Sequence, residues 1–220
     1  LLTFQEVKTL FHEFGHAIHG ILANTIYSSL SGTNVFWDFV ELPSQIMENW
    51  CYQEEAINIF SRHYKTNKSL PKVYIDKIKK VAYFQQGLHT IRQLSFGYLD
   101  LSFHCGDVSK IVDIKEHEKK QIKNLQFTKD NPENCMSTAF SHIFQGGYAA
   151  GYYSYKWAEV LDADAFELFL ENGVFHKKIA NKFLNNILSK GGTDHPMKLY
   201  KKFRGKVPDP SALLRRAGII

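Results

Sequence analysis

Apolar residues recur along the first 22 positions with the spacing of an α-helix. Thr3 and Glu6 form a capping-box pattern, so a helix is predicted to start there and to end at about Ala23. At about 100° per residue, one face of this helix carries seven apolar side chains: Val7, Leu10, Phe11, Phe14, Ile18, Ile21 and Leu22. The opposite face carries three histidines: His12, His16 and His19. We therefore expect the apolar face to pack into the core and the histidine face to line a cleft.

Helical spacing continues through most of the chain. Between residues 25 and 38 the pattern breaks, and serine and glycine favour turns or at most a small β element. Further helices are predicted from near Pro43 towards Tyr64, from near Pro71 past Gln93, within the polar stretch 105–134, at about 152–172, 177–188 and 197–203, and after Pro208. A chain of 220 residues can bury its own core. We expect a mainly α fold in one domain over residues 1–220.

The composition and charge of the chain argue against several classes of protein. The net charge of +5 is spread along the chain, whereas a nucleic-acid-binding surface concentrates its basic residues on one face. No run of about 18 apolar residues predicts a membrane span. The three cysteines match neither a disulfide framework nor a zinc cluster, which indicates free thiols and a cytoplasmic location: Cys51, Cys105 and Cys135. The chain begins at Leu1 rather than Met, so we expect a piece of a longer protein.

The strongest chemical signal is the HExxH motif over residues 12–16. Two histidines four residues apart project from one side of a helix and can bind a single zinc ion. Glu13 points aside and can act on a zinc-bound water. A histidine ten residues after His12 would give a three-histidine site, but Leu22 stands there. His19 is too close to His12 along the same helix to serve.

The third zinc ligand is therefore expected to be a carboxylate. The candidates are Asp38, Glu41, Glu48, Glu54 and Glu55. Glu41 stands at the start of the second predicted helix, where its side chain can reach back across a packed helix pair. Glu48 and Asp38 are then candidates to accept the histidines' remaining N–H groups.

A second signal is the glycine- and tyrosine-rich stretch that follows residue 140. Tyr148, Tyr152 and Tyr155 recur at i, i+4 and i+7, so a helical segment would place them in one stripe. Phenolic O–H groups can stabilise a developing oxyanion, and the glycines allow close approach of a substrate. The alternative is an aromatic stripe with a purely structural role. Residues 31–33 are similarly open to two interpretations: a plain turn, or an edge to which a peptide adds as a strand.

Three blocks of sequence resemble the thimet oligopeptidase family of zinc peptidases. They are FHEFGHA at 11–17, WDFVELPSQ at 37–45 followed by MENW at 47–50, and FSHIF at 140–144 followed by GGYAAGYYSYKW at 146–157. The segment FRG at 203–205 also fits. Together the blocks extend from one end of the chain to the other. The resemblance implies a multi-helix, zincin-type metallopeptidase catalytic domain, and it would correspond to the C-terminal part of the family's proteins.

The resemblance also implies roles for eight residues. His12, His16 and Glu41 would be ligands of one zinc ion, and Glu13 the general base. The positions that would bind the substrate backbone or stabilise the tetrahedral intermediate are His142, Tyr148, Tyr152 and Tyr155. In family members an N-terminal half forms the other wall of the cleft.

The expected function is that of a zinc-dependent endopeptidase, a hydrolase that degrades short peptides. Two alternatives stay open. One is a dipeptidyl carboxypeptidase of the same family, and the other is a zinc-binding but inactive peptide-binding fragment.

Overall fold

The chain is mainly α-helical, as predicted. The computed structural model describes residues 1–127, 131 and 133–220. Within these residues the β-structure consists of one isolated bridge between Arg62 and Ser69. Residues 25–38, all of which are described, form two short 3₁₀ turns and no strand, at Ser28–Leu30 and Trp37–Phe39. None of the described helices is both long enough and apolar enough to cross a membrane.

The described residues contain the following helices: α1 (Phe4–Ile21), α2 (Leu42–Glu48), α3 (Glu54–Phe60), α4 (Lys72–Tyr83), α5 (Gln86–His104), α6 (Ile114–Ile122), α7 (Ser141–Phe144), α8 (Tyr153–Asn172), α9 (Lys177–Phe183), α10 (Pro196–Arg204) and α11 (Ser211–Arg216). A π-helical turn, Leu184–Leu188, continues α9. The capping box of α1 is present, with the Thr3 N–H donating to Glu6 at 2.6 Å and the Glu6 N–H donating to Thr3 at 3.3 Å.

Two long helices of the prediction are each divided. The helix expected from Pro43 towards Tyr64 is interrupted by the 3₁₀ turn Asn49–Tyr52. The helix expected from Pro71 past Gln93 breaks between α4 and α5, because Gln85 adopts a left-handed conformation with φ of 56°. The apolar spacing continues across both breaks, which is why the pattern alone does not reveal them.

Two compact units make up the chain: Leu1–Phe84 together with Trp157–Ile220, and Gln85–Lys156. The single domain over residues 1–220 therefore stays a prediction. In the first unit, residues of α8 and of several other helices form one hydrophobic core. It includes Leu42, Ile46, Leu161, Phe166, Phe169, Ile187, Leu199, Tyr200 and Phe203. Trp50 packs edge-on against two of these rings, and its indole N–H donates to the Val174 carbonyl.

The predicted orientation of α1 is wrong. Its apolar face is largely exposed, with exposed fractions of 57% for Leu10, 54% for Phe14 and 73% for Ile21. The buried residues of α1 are Gly15 and His19, which lie on the histidine side. This side packs against α2, so the histidine face is turned into the unit rather than away from its core.

The second unit consists of α5, α6, α7 and the segments between them up to Lys156. Its core is formed by Leu99, Phe103, Phe140 and Ile143. The buried carboxylate of Glu118 on α6 accepts hydrogen bonds from the backbone N–H groups of Met136 and Ser137, at 2.9 and 2.8 Å. These bonds anchor the 3₁₀ turn Met136–Ala139, which leads into α7.

Candidate metal centre and tyrosine cluster

α1 and α2 approach each other closely because residue 15 is glycine. A Cβ atom at this position would lie 2.5 Å from the Cα of Ser44 and 2.8 Å from the carbonyl carbon of Pro43. Both distances are far shorter than the contact distance of carbon atoms, about 3.5–4.0 Å. His12 and His16 are on the same side of α1 as Gly15. The missing side chain therefore brings both imidazoles against the first turn of α2.

Three candidate ligand atoms converge at this contact. Oε2 of Glu41 lies 3.3 Å from Nε2 of His12 and 3.3 Å from Nε2 of His16. All three atoms lie within 4.8 Å of one another. Two ligands that are each about 2.1 Å from a tetrahedral zinc ion are about 3.4 Å apart. Two imidazole nitrogens and one carboxylate oxygen at this spacing fit a zinc site that keeps a position open for water.

Glu41 is held in place by Ser44, a residue in the first turn of α2. It is 4% exposed and immediately precedes α2. The Ser44 hydroxyl donates to Oε2 of Glu41 at 2.7 Å and contacts the Glu41 carbonyl at 2.9 Å. Burial opposes ionisation of Glu41, but hydrogen bonds from His12, His16 and Ser44 outweigh it and hold the pKa of this carboxyl well below its usual range. The side chain therefore stays ionised, as a metal ligand must.

The second ring nitrogen of His12 is also bound. Nδ1 of His12 lies 2.8 Å from Oε1 of Glu48, and the ammonium group of Lys8 lies 2.9 Å from Oε2 of the same residue. Burial lowers the pKa of His12, but the hydrogen bonds to Glu41 and Glu48 outweigh it and raise the pKa to about 9. A carboxylate at Nδ1 fixes the ring orientation and leaves Nε2 directed at the centre. This contact is the one that the sequence analysis expected of Glu48.

Two further residues of α1, Glu13 and His19, have different environments. Glu13 is exposed beside His12. His19 is fully buried, and neither of its ring nitrogens has a hydrogen-bond partner among the described residues. Burial, with a smaller contribution from His16, lowers the pKa of His19 to about 4. His19 is therefore neutral at neutral pH and is separate from the three converging atoms.

The four predicted substrate residues lie together in the second unit. The rings of Tyr148 and Tyr155 are stacked with centroids 4.9 Å apart, and Tyr152 lies 5.3 Å from Tyr155. His142 stands edge-on to Tyr152 at 6.1 Å. Tyr148 and Tyr152 belong to the turns before α8 rather than to a helix, so the predicted helical stripe is not what assembles the cluster. We call these four residues the tyrosine cluster.

Comparison with known proteins decides the family. The model of peptidase family M3 matches residues 1–219. The chain belongs to peptidase family M3. It is 46% identical to the oligopeptidase A proteins of Haemophilus influenzae and Escherichia coli, and 36% identical to a dipeptidyl carboxypeptidase of Escherichia coli. Each match covers 100% of this chain, and 33%, 32% and 32% of the respective relative.

The chain thus spans about a third of the length of the curated relatives that it matches. The comparisons do not support the C-terminal position that the resemblance implied.

Membership of M3 agrees with a metal site, and the three converging atoms are a donor set suited to one. Four supporting residues were not singled out by sequence reasoning. Lys8 and Ser44 contact residues of the candidate metal centre, and Gln93 and Asp100 contact Tyr152 of the tyrosine cluster. The contacts of Lys8, Gln93 and Asp100 join residues that are distant in sequence. Ser44 alone had a local signal, because it follows Glu41 by three residues at the start of a helix.

Proposed function

We propose that this chain carries the catalytic residues of a zinc-dependent endopeptidase that hydrolyses short peptides. The main support is the convergence of Nε2 of His12, Nε2 of His16 and Oε2 of Glu41. Membership of peptidase family M3, and relatives named oligopeptidase A, support the same reaction. When bound, zinc would act as a Lewis acid towards the attacking water and the scissile carbonyl.

In this proposal Glu13 is the general base. It accepts a proton from the attacking water and delivers that proton to the leaving amine. Its place in the sequence, next to a ligand and exposed, is compatible with this role. Glu41 holds the site, and Glu48 orients His12 through Nδ1.

The tyrosine cluster is proposed to bind the substrate and to stabilise its oxyanion. Burial, with a contribution from the neighbouring Tyr155, raises the pKa of Tyr152 to about 12, although Arg92 opposes the shift. The Tyr152 hydroxyl therefore keeps its proton at physiological pH and can donate it in a hydrogen bond. Tyr155 and His142 would donate alongside Tyr152, and Tyr148 and His142 would contact the substrate backbone.

The test of the proposal is peptide hydrolysis by the full-length protein. A quenched fluorescent peptide should be cleaved, a chelator should stop the cleavage, and one equivalent of zinc should restore it. A full-length protein that binds one zinc ion and cleaves no peptide would overturn the proposal. If the full-length protein cleaves the peptide while residues 1–220 alone bind zinc without cleaving it, this chain by itself would be the zinc-binding but inactive peptide-binding fragment.

A dipeptidyl carboxypeptidase is the second candidate, and the 36% identical relative of that name is the reason to test it. A peptide with a blocked C-terminus separates the two activities. An endopeptidase cleaves it internally, whereas a dipeptidyl carboxypeptidase requires a free C-terminus. The higher identity to the proteins named oligopeptidase A, 46% against 36%, is the reason to place the endopeptidase first.

A cytoplasmic location belongs to the same proposal. All three cysteines are free, as expected in a reducing compartment. One relative, 42% identical, is named a probable cytosolic oligopeptidase A, and another at 42% is named organellar. Fractionation of cells that express the full-length protein would decide between these locations.

A further inference from the structure

A buried carboxylate on α5 binds the turn that carries the tyrosine cluster. Asp100 is 0% exposed. Its Oδ1 accepts the Ala150 N–H at 2.9 Å, and its Oδ2 accepts the Tyr152 N–H at 2.8 Å. Nδ1 of His104, one helical turn further along α5, lies 2.8 Å from Oδ1. A buried carboxylate is tolerated only when donors of this kind meet it.

The position of these bonds gives Asp100 a role beyond filling the core. Tyr152 immediately precedes α8, so the carboxylate lies where the unpaired N–H groups of a helix start are found. An N-cap side chain normally fills this role from the same segment, whereas Asp100 does so from another helix. Ala150 has a φ of 54°, a left-handed conformation that non-glycine residues adopt only when their surroundings enforce it. The bond from Ala150 to Asp100 helps to enforce it.

α5 contacts Tyr152 at a second point. The Tyr152 hydroxyl donates to Oε1 of Gln93 at 3.3 Å. Gln93 and Asp100 are separated by about two helical turns, and therefore lie on the same face of α5. One helix thus contacts Tyr152 at its backbone N–H and at its phenol, which defines the position of the side chain at both ends.

We propose that Asp100 and Gln93 are positioning residues for Tyr152. Asp100 fixes the backbone of the turn, and Gln93 holds the phenol in place before substrate binds. Because a phenol has one O–H to donate, the Tyr152 hydroxyl would exchange Gln93 for the substrate oxyanion during the reaction. This inference rests on the proposed function, since the hydrogen bonds to Asp100 and Gln93 matter for catalysis only if the Tyr152 hydroxyl acts on the substrate. A purely structural anchor is the competing explanation, and it would affect folding without coupling to the Tyr152 hydroxyl.

The first test measures the turn itself and needs no activity. In full-length protein, Asp100→Asn should speed amide exchange at Ala150 and Tyr152 about tenfold or more, because both N–H groups lose a charged acceptor. The amides of α1 should keep their protection. Ser95→Ala is the matched control, since the Ser95 hydroxyl is buried on the same helix and donates to the Arg92 carbonyl. Unchanged exchange at Ala150 and Tyr152 in Asp100→Asn would overturn the inference.

The second test is a double-mutant cycle on peptide hydrolysis. Gln93→Leu, at a half-buried position, should lower kcat about three- to tenfold with a smaller effect on KM and with zinc content unchanged. In a Tyr152→Phe background the same change should have no further effect, because its hydrogen-bond partner is already gone. Equal losses in the two backgrounds would refute the positioning role. If the wild-type protein cleaves no peptide, the proposed function fails, while amide exchange still decides whether Asp100 holds the turn.

Discussion

Gly15 of α1 lies so close to Ser44 of α2 that a Cβ atom at position 15 would be 2.5 Å from the Cα of Ser44. This contact sets the distance between the helix that carries both histidines and the helix that begins at Glu41. The two residues between Glu13 and His16 are therefore not equivalent to any other pair of residues. One of them determines whether the third candidate ligand is within reach.

Gly15→Ala should separate α1 from α2 and weaken metal binding. Overpacking of this kind costs about 1–3 kcal/mol, and here the obstructing atoms belong to the backbone and cannot rotate away. Urea unfolding should report the loss of stability, and titration with zinc should report weaker binding. Gly20→Ala is the matched control, because a Cβ atom there has no neighbour within 4 Å. Equal effects of the two substitutions would contradict the role given to Gly15.

Glu41→Ala should abolish stoichiometric zinc binding. Glu48→Ala should retain one zinc ion with affinity lowered about 10- to 100-fold, as found when the partner of a ligating histidine is lost. Equilibrium dialysis with a competing chelator measures both. The opposite ranking would make Glu48 the ligand and would displace Glu41 from the site.

Glu13→Gln should keep zinc and lose catalysis. The amide has nearly the same shape as the carboxylate but cannot accept the proton of the attacking water, so kcat should fall by at least about 10²-fold. Zinc content and turnover of the fluorescent peptide are measured on the same sample. Full activity with normal zinc content would remove Glu13 from the mechanism.

Removal of His19 should make the metal-free protein less sensitive to acid. The pKa of His19 is lowered to about 4 in the folded chain from 6.5, so below pH 6.5 the unfolded chain takes up a proton that the folded chain refuses. Stability is therefore lost as the pH falls from about 6.5 to about 4, by at most on the order of 3 kcal/mol. His19→Leu should flatten this part of the stability curve. Denaturant unfolding at several pH values compares the two proteins, and identical slopes would show that His19 does not contribute.

The residues that the structure brings together were easier to predict than the packing that positions them. HExxH spacing, a carboxylate at the start of the next helix and the recurring tyrosines all follow from local sequence, and the structure brings the predicted residues into two clusters. The buried side of α1 did not follow from the sequence. Apolar periodicity identified Leu10 and Phe14 as core residues, but the close approach of backbone at Gly15 turns the opposite side inward.

The supports of the tyrosine cluster could not have been found from spacing alone. Asp100 and Tyr152 are far apart in sequence, and a single aspartate in a mostly apolar helix is compatible with many environments. Gln85 is a similar case. Nothing in its residue type predicts a left-handed conformation, yet this conformation separates α4 from α5.

The oxygen of Glu41 that lies between two imidazoles has a consequence for folding as well as for chemistry. An ion held there would join residue 16 to residue 41 and close the intervening chain into a loop. Part of the free energy of ion binding would then stabilise the packing of α1 against α2, and the remainder would be observed as affinity for the ion. Zinc in this position would cross-link α1 to the residue that precedes α2. The concentration of free zinc would then influence the fraction of the protein that is folded.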